Sequence, residues 1–238
     1  YGVQFNKLMY ERLMAGGNIT LFSPHDVPGL YDAFFADQDE FKRLYEQAER
    51  KTSIRKKVIS ATELFSAFMQ ERKDTGRIYL QNVDHANEHS SFKTEVAPIK
   101  QSNLCCEIDL PTKPLNDIND PNGEIALCTL SAVNWGSFKN PEDMEKACTL
   151  AVRGLDALLS YQNYPIIAAQ MATENRRPLG VGIINLAFFL AKNDVSYSNP
   201  DALKLVDTWA QHWSYYLIKA SADLAVEFGA CPKNNETK

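Results

Sequence analysis

Residues 102–111, SNLCCEIDLP, place two adjacent cysteines in a segment where polar and apolar side chains alternate. In an extended strand, successive side chains point to opposite faces, and every second residue is about 6.6 Å further along. Asn103, Cys105 and Glu107 would then share one face, whereas Cys106 would lie in the apolar row. An amide, a thiol and a carboxylate in line suit a ligand the size of a sugar ring. From the residues alone, a reactive site and a packed polar strand are equally supported.

A third cysteine of interest is Cys128, in the segment EIALCTLSAVNW at 124–135. The segment is apolar and β-branched with little alternation, which predicts a strand covered on both faces, as in a parallel sheet. A turn-rich loop separates it from the segment at 102–110. Two neighbouring strands could therefore bring Cys105 and Cys128 together.

Other motifs are better explained by ordinary structure than by chemistry. His85 and His89 match an H-x-x-E-H pattern, but metal chemistry needs that pattern on a helix. No apolar helical stripe passes through it, so we predict a solvated loop and no metal site. Gly180-Val181-Gly182 lacks the third glycine of a phosphate loop, and close packing of a strand and a helix is the favoured reason for it. Arg176-Arg177 is predicted to be a solvated loop.

Composition limits the classes of function. The 238 residues are 45% apolar and 23% charged, with a net charge of −5, which is ordinary for a globular protein. No basic block favours a nucleic acid, and no apolar run approaches the roughly 20 residues that span a membrane. Five cysteines without a CxxC pair argue against a disulfide scaffold or a zinc site, so we expect a reducing, cytoplasmic environment. Cys148 lies in an apolar helical stripe and is expected in the core.

The periodicity of apolar residues predicts an α/β fold with a largely parallel sheet. Residues 1–75 are predicted to be mainly helical, and 76–238 to contain strands and helices. The predicted helices cover 3–15, 31–50 with a break near Asp37, 53–72, 141–161, 185–192 and 200–228. The predicted strands cover 77–83, 103–110, 124–135 and 179–184.

Several of these segments together resemble one protein family. SNLCCEIDLPTKPL at 102–115 and GEIALCTLSAVN at 123–134 are the most specific. TLFSPHDVPGLYDAFF at 20–35, TGRIYLQNVDH at 75–85 and RRPLGVGIINLA at 176–187 are also similar. On these motifs the chain resembles the large (alpha) subunit of class I ribonucleotide reductase along essentially its whole length. One departure is Cys106, which stands where the family commonly has leucine, and we predict that it is a small buried hydrophobic residue.

The resemblance implies a fold and a set of roles. It implies part of a ten-stranded α/β barrel, with a finger loop near 102–110 that revises the strand prediction to a strand-like loop. It implies that Cys105 becomes the thiyl radical that takes hydrogen from C3′ of the ribose. Glu107 would take the proton of the 3′-hydroxyl, and Asn103 would hydrogen-bond the sugar hydroxyls. Cys128 would be one half of the dithiol that supplies two electrons.

The resemblance also implies partners. The radical would come from a small (beta) subunit with a metal–radical centre, so no metal or cofactor is expected in this segment. Ribonucleotide is the implied substrate, thioredoxin or glutaredoxin the implied reductant, and a homodimer the implied full-length form. ATP and deoxynucleotide effectors would bind elsewhere in the large subunit, and the segment by itself would be inactive. The alternative is a non-catalytic relative that keeps the fold and binds a nucleotide or a partner.

Overall fold

A computed structural model describes residues 1–238, the whole chain. It divides into two compact units, which are described separately. The first comprises Tyr1–Thr112 with Glu236–Lys238, and the second comprises Lys113–Asn235. No helix is both long enough and apolar enough to cross a membrane.

The first unit contains five α-helices and four strands. The strands are β1 (Gly2–Phe5), β2 (Asn18–Phe22), β3 (Lys56–Ser60) and β4 (Tyr79–Asn82). The helices are α1 (Lys7–Met14), α2 (Leu30–Ala36), α3 (Gln38–Arg50), α4 (Ala61–Thr75) and α5 (Val83–Glu88). β1 pairs with β4 in parallel, and β2 pairs with β3 antiparallel.

Local sequence signals explain several boundaries in this unit. Asp37 separates α2 from α3, because its side chain accepts hydrogen bonds from the backbone N–H groups of Asp39 and Glu40 and so caps the second helix. Gly76 ends α4 in the left-handed conformation that glycine adopts without steric cost. The predicted break near Asp37 is thus confirmed, and α4 continues to Thr75, three residues beyond the predicted end at 72.

Two predicted helices in this unit begin too early. Residues 2–5 form β1 rather than the start of a helix, and 56–60 form β3 rather than the first turns of α4. In both places a strand partner outweighs the local helical spacing: Gly2 aligns with Tyr79, and Lys56 aligns with Phe22.

The second unit contains four α-helices and one parallel strand pair. The strands are β5 (Thr129–Asn134) and β6 (Leu179–Ile184). The helices are α6 (Glu145–Tyr161), α7 (Ile167–Arg176), α8 (Leu186–Lys192) and α9 (Pro200–Phe228). Helix α7 was not predicted from the sequence. The core of this unit packs Val133, Trp135 and Cys148 against aromatic side chains of α8 and α9, which confirms the core position of Cys148.

The arrangement is a mixed α/β fold in which two of the three strand pairs are parallel. Each sheet has two strands, and the 238 residues contain no closed barrel. The α/β class is therefore confirmed. The ten-stranded barrel stays a prediction for a longer chain. The boundary near residue 75, between a mainly helical segment and one with strands and helices, also stays a prediction.

Candidate active site

The segment with the adjacent cysteines is a tight hairpin loop. Ser102 and Asp109 face each other in an isolated antiparallel bridge. Between them the backbone N–H of Cys106 donates to the carbonyl oxygen of Asn103 at 3.0 Å, which closes a four-residue turn. The first expectation, a regular strand over 103–110, is wrong. A loop is what the resemblance implied.

The side chain of Asn103 holds this loop together. Its Oδ1 atom accepts hydrogen bonds from the backbone N–H groups of Glu107 and Ile108, both at 3.1 Å. Its Nδ2 atom donates to Oε1 of Glu107 at 2.6 Å. Asn103 and Glu107 are therefore in direct contact. Strand alternation predicted them on one face with Cys105 between them, and a turn brings them together instead.

The turn also changes the surroundings of the residues between them. Cys105 is exposed at the tip of the loop, and the neighbouring Leu104 is 73% exposed. Cys106 is only half-buried and has a backbone φ of +62°, a left-handed conformation that is uncommon for residues other than glycine. The prediction that Cys106 lies in an apolar row is wrong, because a turn does not keep the two-residue period of a strand.

The two cysteines also differ chemically. Burial raises the pKa of the Cys106 thiol, and the nearby charges of Asp109, Cys105 and Glu107 raise it further. Cys106 therefore stays a protonated thiol near neutral pH. Cys105, by contrast, is exposed at the tip of the loop.

Side-chain amides of two glutamines attach the base of the hairpin to the β1–β4 sheet. Nε2 of Gln81, on β4, donates to Oδ1 of Asp109 at 2.7 Å. Nε2 of Gln4, on β1, donates to Oε1 of Gln81 and to the carbonyl oxygen of Lys100, both at 2.7 Å. This chain of contacts was not predicted from the sequence. Its only signal was a glutamine in the middle of a predicted strand, where a buried side chain needs a hydrogen-bond partner.

A cleft of about 560 Å³ lies beside the hairpin, within the size range of small-molecule sites. The hairpin contributes Cys106, Glu107 and Asp109 to its wall, and α5 contributes His85. The remaining wall comes from the end of β4, from Ala86 of α5, from the segment after α5 and from the residue after the hairpin, namely Leu80, Gln81, Asn82, Ala86, His89, Ser90, Ser91, Phe92 and Leu110. The carboxyl group of Glu107 therefore belongs to a cleft as well as to the hairpin.

The H-x-x-E-H motif is not a solvated loop, because residues 83–88 form helix α5 and His89 is the residue that ends it. That prediction is wrong, because tertiary contacts hold this segment in place. Asn87 turns inward, where its Nδ2 atom donates to the carbonyl oxygens of Val83 and Ile99. The His85 and His89 rings lie 6.0 Å apart, and no group of three or more residues that could hold a metal ion is found.

Cys128 belongs to the second unit and directly precedes β5. It is half-buried, and Leu130 two residues further on is 61% exposed. Val133 and Val181, by contrast, pack into the core with α6, α8 and α9. The prediction of a strand covered on both faces is therefore wrong for these 238 residues, because one face of the β5–β6 pair is open.

A buried ionic cluster lies beside the start of these two strands. Oε2 of Glu124 accepts from Nη1 of Arg176 at 2.6 Å, and its Oε1 accepts from Nζ of Lys233 at 2.5 Å. Both side chains of the Glu124–Arg176 pair are about 5% exposed or less. Arg176 is therefore not solvated, which corrects the prediction. Arg177 is partly exposed and pairs with Asp156 at 2.6 Å.

Comparison with known proteins identifies relatives along the whole chain. The family model "Ribonucleotide reductase, barrel domain" matches residues 1–238. The "Ribonucleoside-diphosphate reductase subunit alpha" of Haemophilus influenzae is 60% identical over 237 residues, covering 100% of this chain and 31% of the relative. The "Ribonucleoside-diphosphate reductase 1 subunit alpha" of Escherichia coli is 61% identical with the same coverage. The corresponding subunit of Enterobacteria phage T4 is 49% identical over 242 residues, again covering 100% of this chain and 31% of the relative.

The chain thus spans about a third of the length of these curated relatives. The family model covers it completely, and the α/β architecture agrees with that match. The chain belongs to the ribonucleotide reductase family, within the barrel domain.

Proposed function

We propose that this chain is a catalytic segment of the large subunit of a class I ribonucleotide reductase, which converts ribonucleoside diphosphates to deoxyribonucleotides for DNA replication. The observation that carries the proposal is the hairpin, in which Asn103 holds the Glu107 carboxylate 2.6 Å from its own amide while Cys105 stands exposed at the tip. The names of the relatives support the same activity.

Each residue type suits one step of the proposed chemistry. A Cys105 thiyl radical takes a hydrogen atom from C3′ of the ribose, forming an S–H bond and a carbon radical. Glu107 takes the proton of the 3′-hydroxyl, which eases loss of the 2′-hydroxyl as water. General-base assistance of this kind contributes about 10²–10⁴ in rate. The hydrogen bond from Asn103 occupies only Oε1 of Glu107, which leaves the second carboxylate oxygen to accept the substrate proton.

The reduction step needs two electrons, and we assign Cys128 to it. Cys128 and a second thiol of the complete subunit lose two electrons and two protons and form a disulfide. Hydrogen-atom return from Cys105 then regenerates the thiyl radical. Thioredoxin or glutaredoxin reduces the disulfide by thiol exchange.

The remaining parts of the proposal concern the complete enzyme. The complete large subunit closes a ten-stranded barrel around the hairpin, forms a homodimer and binds ATP and deoxynucleotide effectors outside this segment. A separate small subunit supplies the radical from its metal centre. The cytoplasm is the compartment proposed for the enzyme.

The matched pair of adjacent cysteines tests the proposal. A complete large subunit that carries this segment is assayed for deoxyribonucleotide formation with small subunit, dithiol and ribonucleoside diphosphate. Cys105→Ser should reduce activity to background while substrate still binds, because its O–H bond is too strong for the radical step. Cys106→Ala should keep most activity. An inactive Cys106→Ala with an active Cys105→Ser would refute the assignment, and nucleotide binding without any turnover of the unmodified protein would support the non-catalytic alternative.

A further inference from the structure

Gly180 lies on β6 directly opposite Leu130 of β5, in the register that also aligns Thr129 with Leu179. A methyl group on the α-carbon of Gly180 would lie 2.5 Å from Cδ2 of Leu130 and 3.1 Å from Sγ of Cys128. Ordinary contacts between non-bonded heavy atoms are about 3.5–4.0 Å. Because Gly180 has no side chain, the Cys128 sulfur has room beside β6. Any larger residue at position 180 would take part of that space.

Conformational freedom does not explain this glycine. Among the glycines, only Gly16, Gly29, Gly76 and Gly229 have positive φ. The neighbouring Gly182, two residues further along β6, has only Ser131 O within 4 Å of the same added methyl group, at 3.8 Å. Gly180 thus differs from Gly182 on the same strand, because only at Gly180 would an added methyl group contact a thiol.

We propose that Gly180 is a positioning residue for Cys128, a role that rests on the proposed redox function of that thiol. A methyl group at Gly180 would push the sulfur by several tenths of an ångström. Disulfide formation tolerates little displacement, because the two sulfurs must approach to about 2.05 Å at a narrow range of dihedral angles. Gly180 therefore acts on the step in which Cys128 is oxidised, and not on the hydrogen abstraction that precedes it.

The test uses Gly180→Ala and the matched control Gly182→Ala in a complete large subunit that carries this segment. A misplacement of about 1 Å can cost about 10²-fold in rate, so for the smaller shift here we expect kcat of Gly180→Ala to fall about 10-fold or more. The KM for the substrate should stay unchanged. Release of the base from stalled substrate, which reports hydrogen abstraction, should still occur. Alkylation of Cys128 by N-ethylmaleimide, followed by mass spectrometry with Cys105 as internal reference, should change in rate. Gly182→Ala should match the unmodified enzyme in all of these.

A double variant separates the two contacts of the added methyl group. Leu130→Ala combined with Gly180→Ala removes the closer contact but leaves the contact with the sulfur, so kcat should stay low. Full recovery of kcat would mean that Leu130 packing caused the loss and would overturn the inference. If Gly180→Ala by itself does not fold, the double variant and the single Leu130→Ala variant provide the same comparison.

The outcomes also distinguish this inference from the function on which it rests. Normal multiple turnover by Cys128→Ser would remove Cys128 from the mechanism and refute that part of the proposed function. An inactive Cys128→Ser together with a Gly180→Ala enzyme of normal kcat and normal alkylation rate would refute only the role of Gly180.

Discussion

Glu124 offers a sharp test of how the second unit is held together. Its carboxylate is buried, pairs with Arg176 and Lys233, and lies 3.6 Å from Nζ of Lys113. Through Arg176 it joins the segment before β5 to the end of α7, which leads into β6. Replacing it with glutamine keeps its size and removes its charge. The Glu124→Gln variant therefore removes the buried negative charge with which both cations pair.

The structure sets the magnitude of this loss. Breaking a buried ion pair from one side costs about 3–5 kcal/mol, because the remaining charge stays buried. The matched control is Glu227→Gln, which breaks the 2.7 Å pair between α9 and Arg153 of α6, where both side chains are nearly half exposed. An exposed pair contributes about 0–1 kcal/mol. The two variants remove the same charge and should differ by at least about 2 kcal/mol.

Hydrogen exchange followed by mass spectrometry measures this difference within a complete large subunit. Peptides from 124–134 and 179–184 should exchange about 10²–10⁴-fold faster in Glu124→Gln, since each 1.36 kcal/mol is a factor of ten. Glu227→Gln should change these peptides by less than about 10-fold. Equal effects of the two variants would refute the reasoning that burial makes the Glu124 cluster strong.

The same residue predicts an acid dependence. Burial acts to raise the pKa of Glu124, but hydrogen bonds from Lys233 and Arg176 outweigh it, so the pKa is lowered in the folded protein. A lowered folded-state pKa stabilises the protein above the unfolded value of about 4.3, and the contribution is lost as the pH falls through the folded-state pKa. Protection of these peptides should therefore weaken below about pH 4 in the unmodified protein, and Glu124→Gln should lack that contribution at every pH.

Three further predictions concern the first unit. Cys106→Gly should keep activity and raise stability by up to about 1 kcal/mol, measured by chemical denaturation, because Cys106 has a φ of +62°; a loss of activity would show that its side chain takes part in the reaction. Gln81→Leu removes the hydrogen bond to Asp109 and should lower kcat and speed hydrogen exchange in the hairpin, whereas unchanged exchange would mean that the 2.7 Å contact does not hold the loop. Tyr45→Phe should cost about 1–3 kcal/mol in denaturant unfolding, because the buried hydroxyl of Tyr45 both donates to Thr20 O and accepts from Thr20 N; a change under 0.5 kcal/mol would contradict this.

Sequence patterns predicted elements whose signals are local. The break at Asp37 follows from a capping side chain, and the start of α9 follows from Pro200 at the first turn with Asn199 as cap. The whole of β6 and the whole of β4 were also predicted, because a short apolar run flanked by breakers marks a strand.

Elements that depend on distant partners were missed. The apolar residues around Lys56–Ser60 have helical spacing, but this segment pairs with β2. The local pattern cannot predict a partner that is distant in sequence. Helix α7 buries Ala168, Ala169 and Ala172, whose small side chains make a weak hydrophobic stripe.

The candidate site was predicted in its residues rather than in its geometry. Asn103 and Glu107 were expected on one face with Cys105 between them, but they are in direct contact, because the Asn103 side chain bonds to two backbone N–H groups of a turn. Asparagine offers this bond equally in a turn or beside a strand, so alternation could not decide between them. The roles of Asn103, Cys105, Glu107 and Cys128 remain predictions that the variants above test.

The two-stranded sheets have a practical consequence for handling this segment by itself. Every strand pairs with only one other strand, so each has a second edge of backbone N–H and C=O groups without a strand partner. Such edges recruit strands from other molecules, and the exposed Leu130 and Ile184 beside the β5–β6 edges favour that association. We therefore expect 1–238 expressed alone to self-associate with increasing concentration. Peptide segments that complete these sheets should keep it in solution.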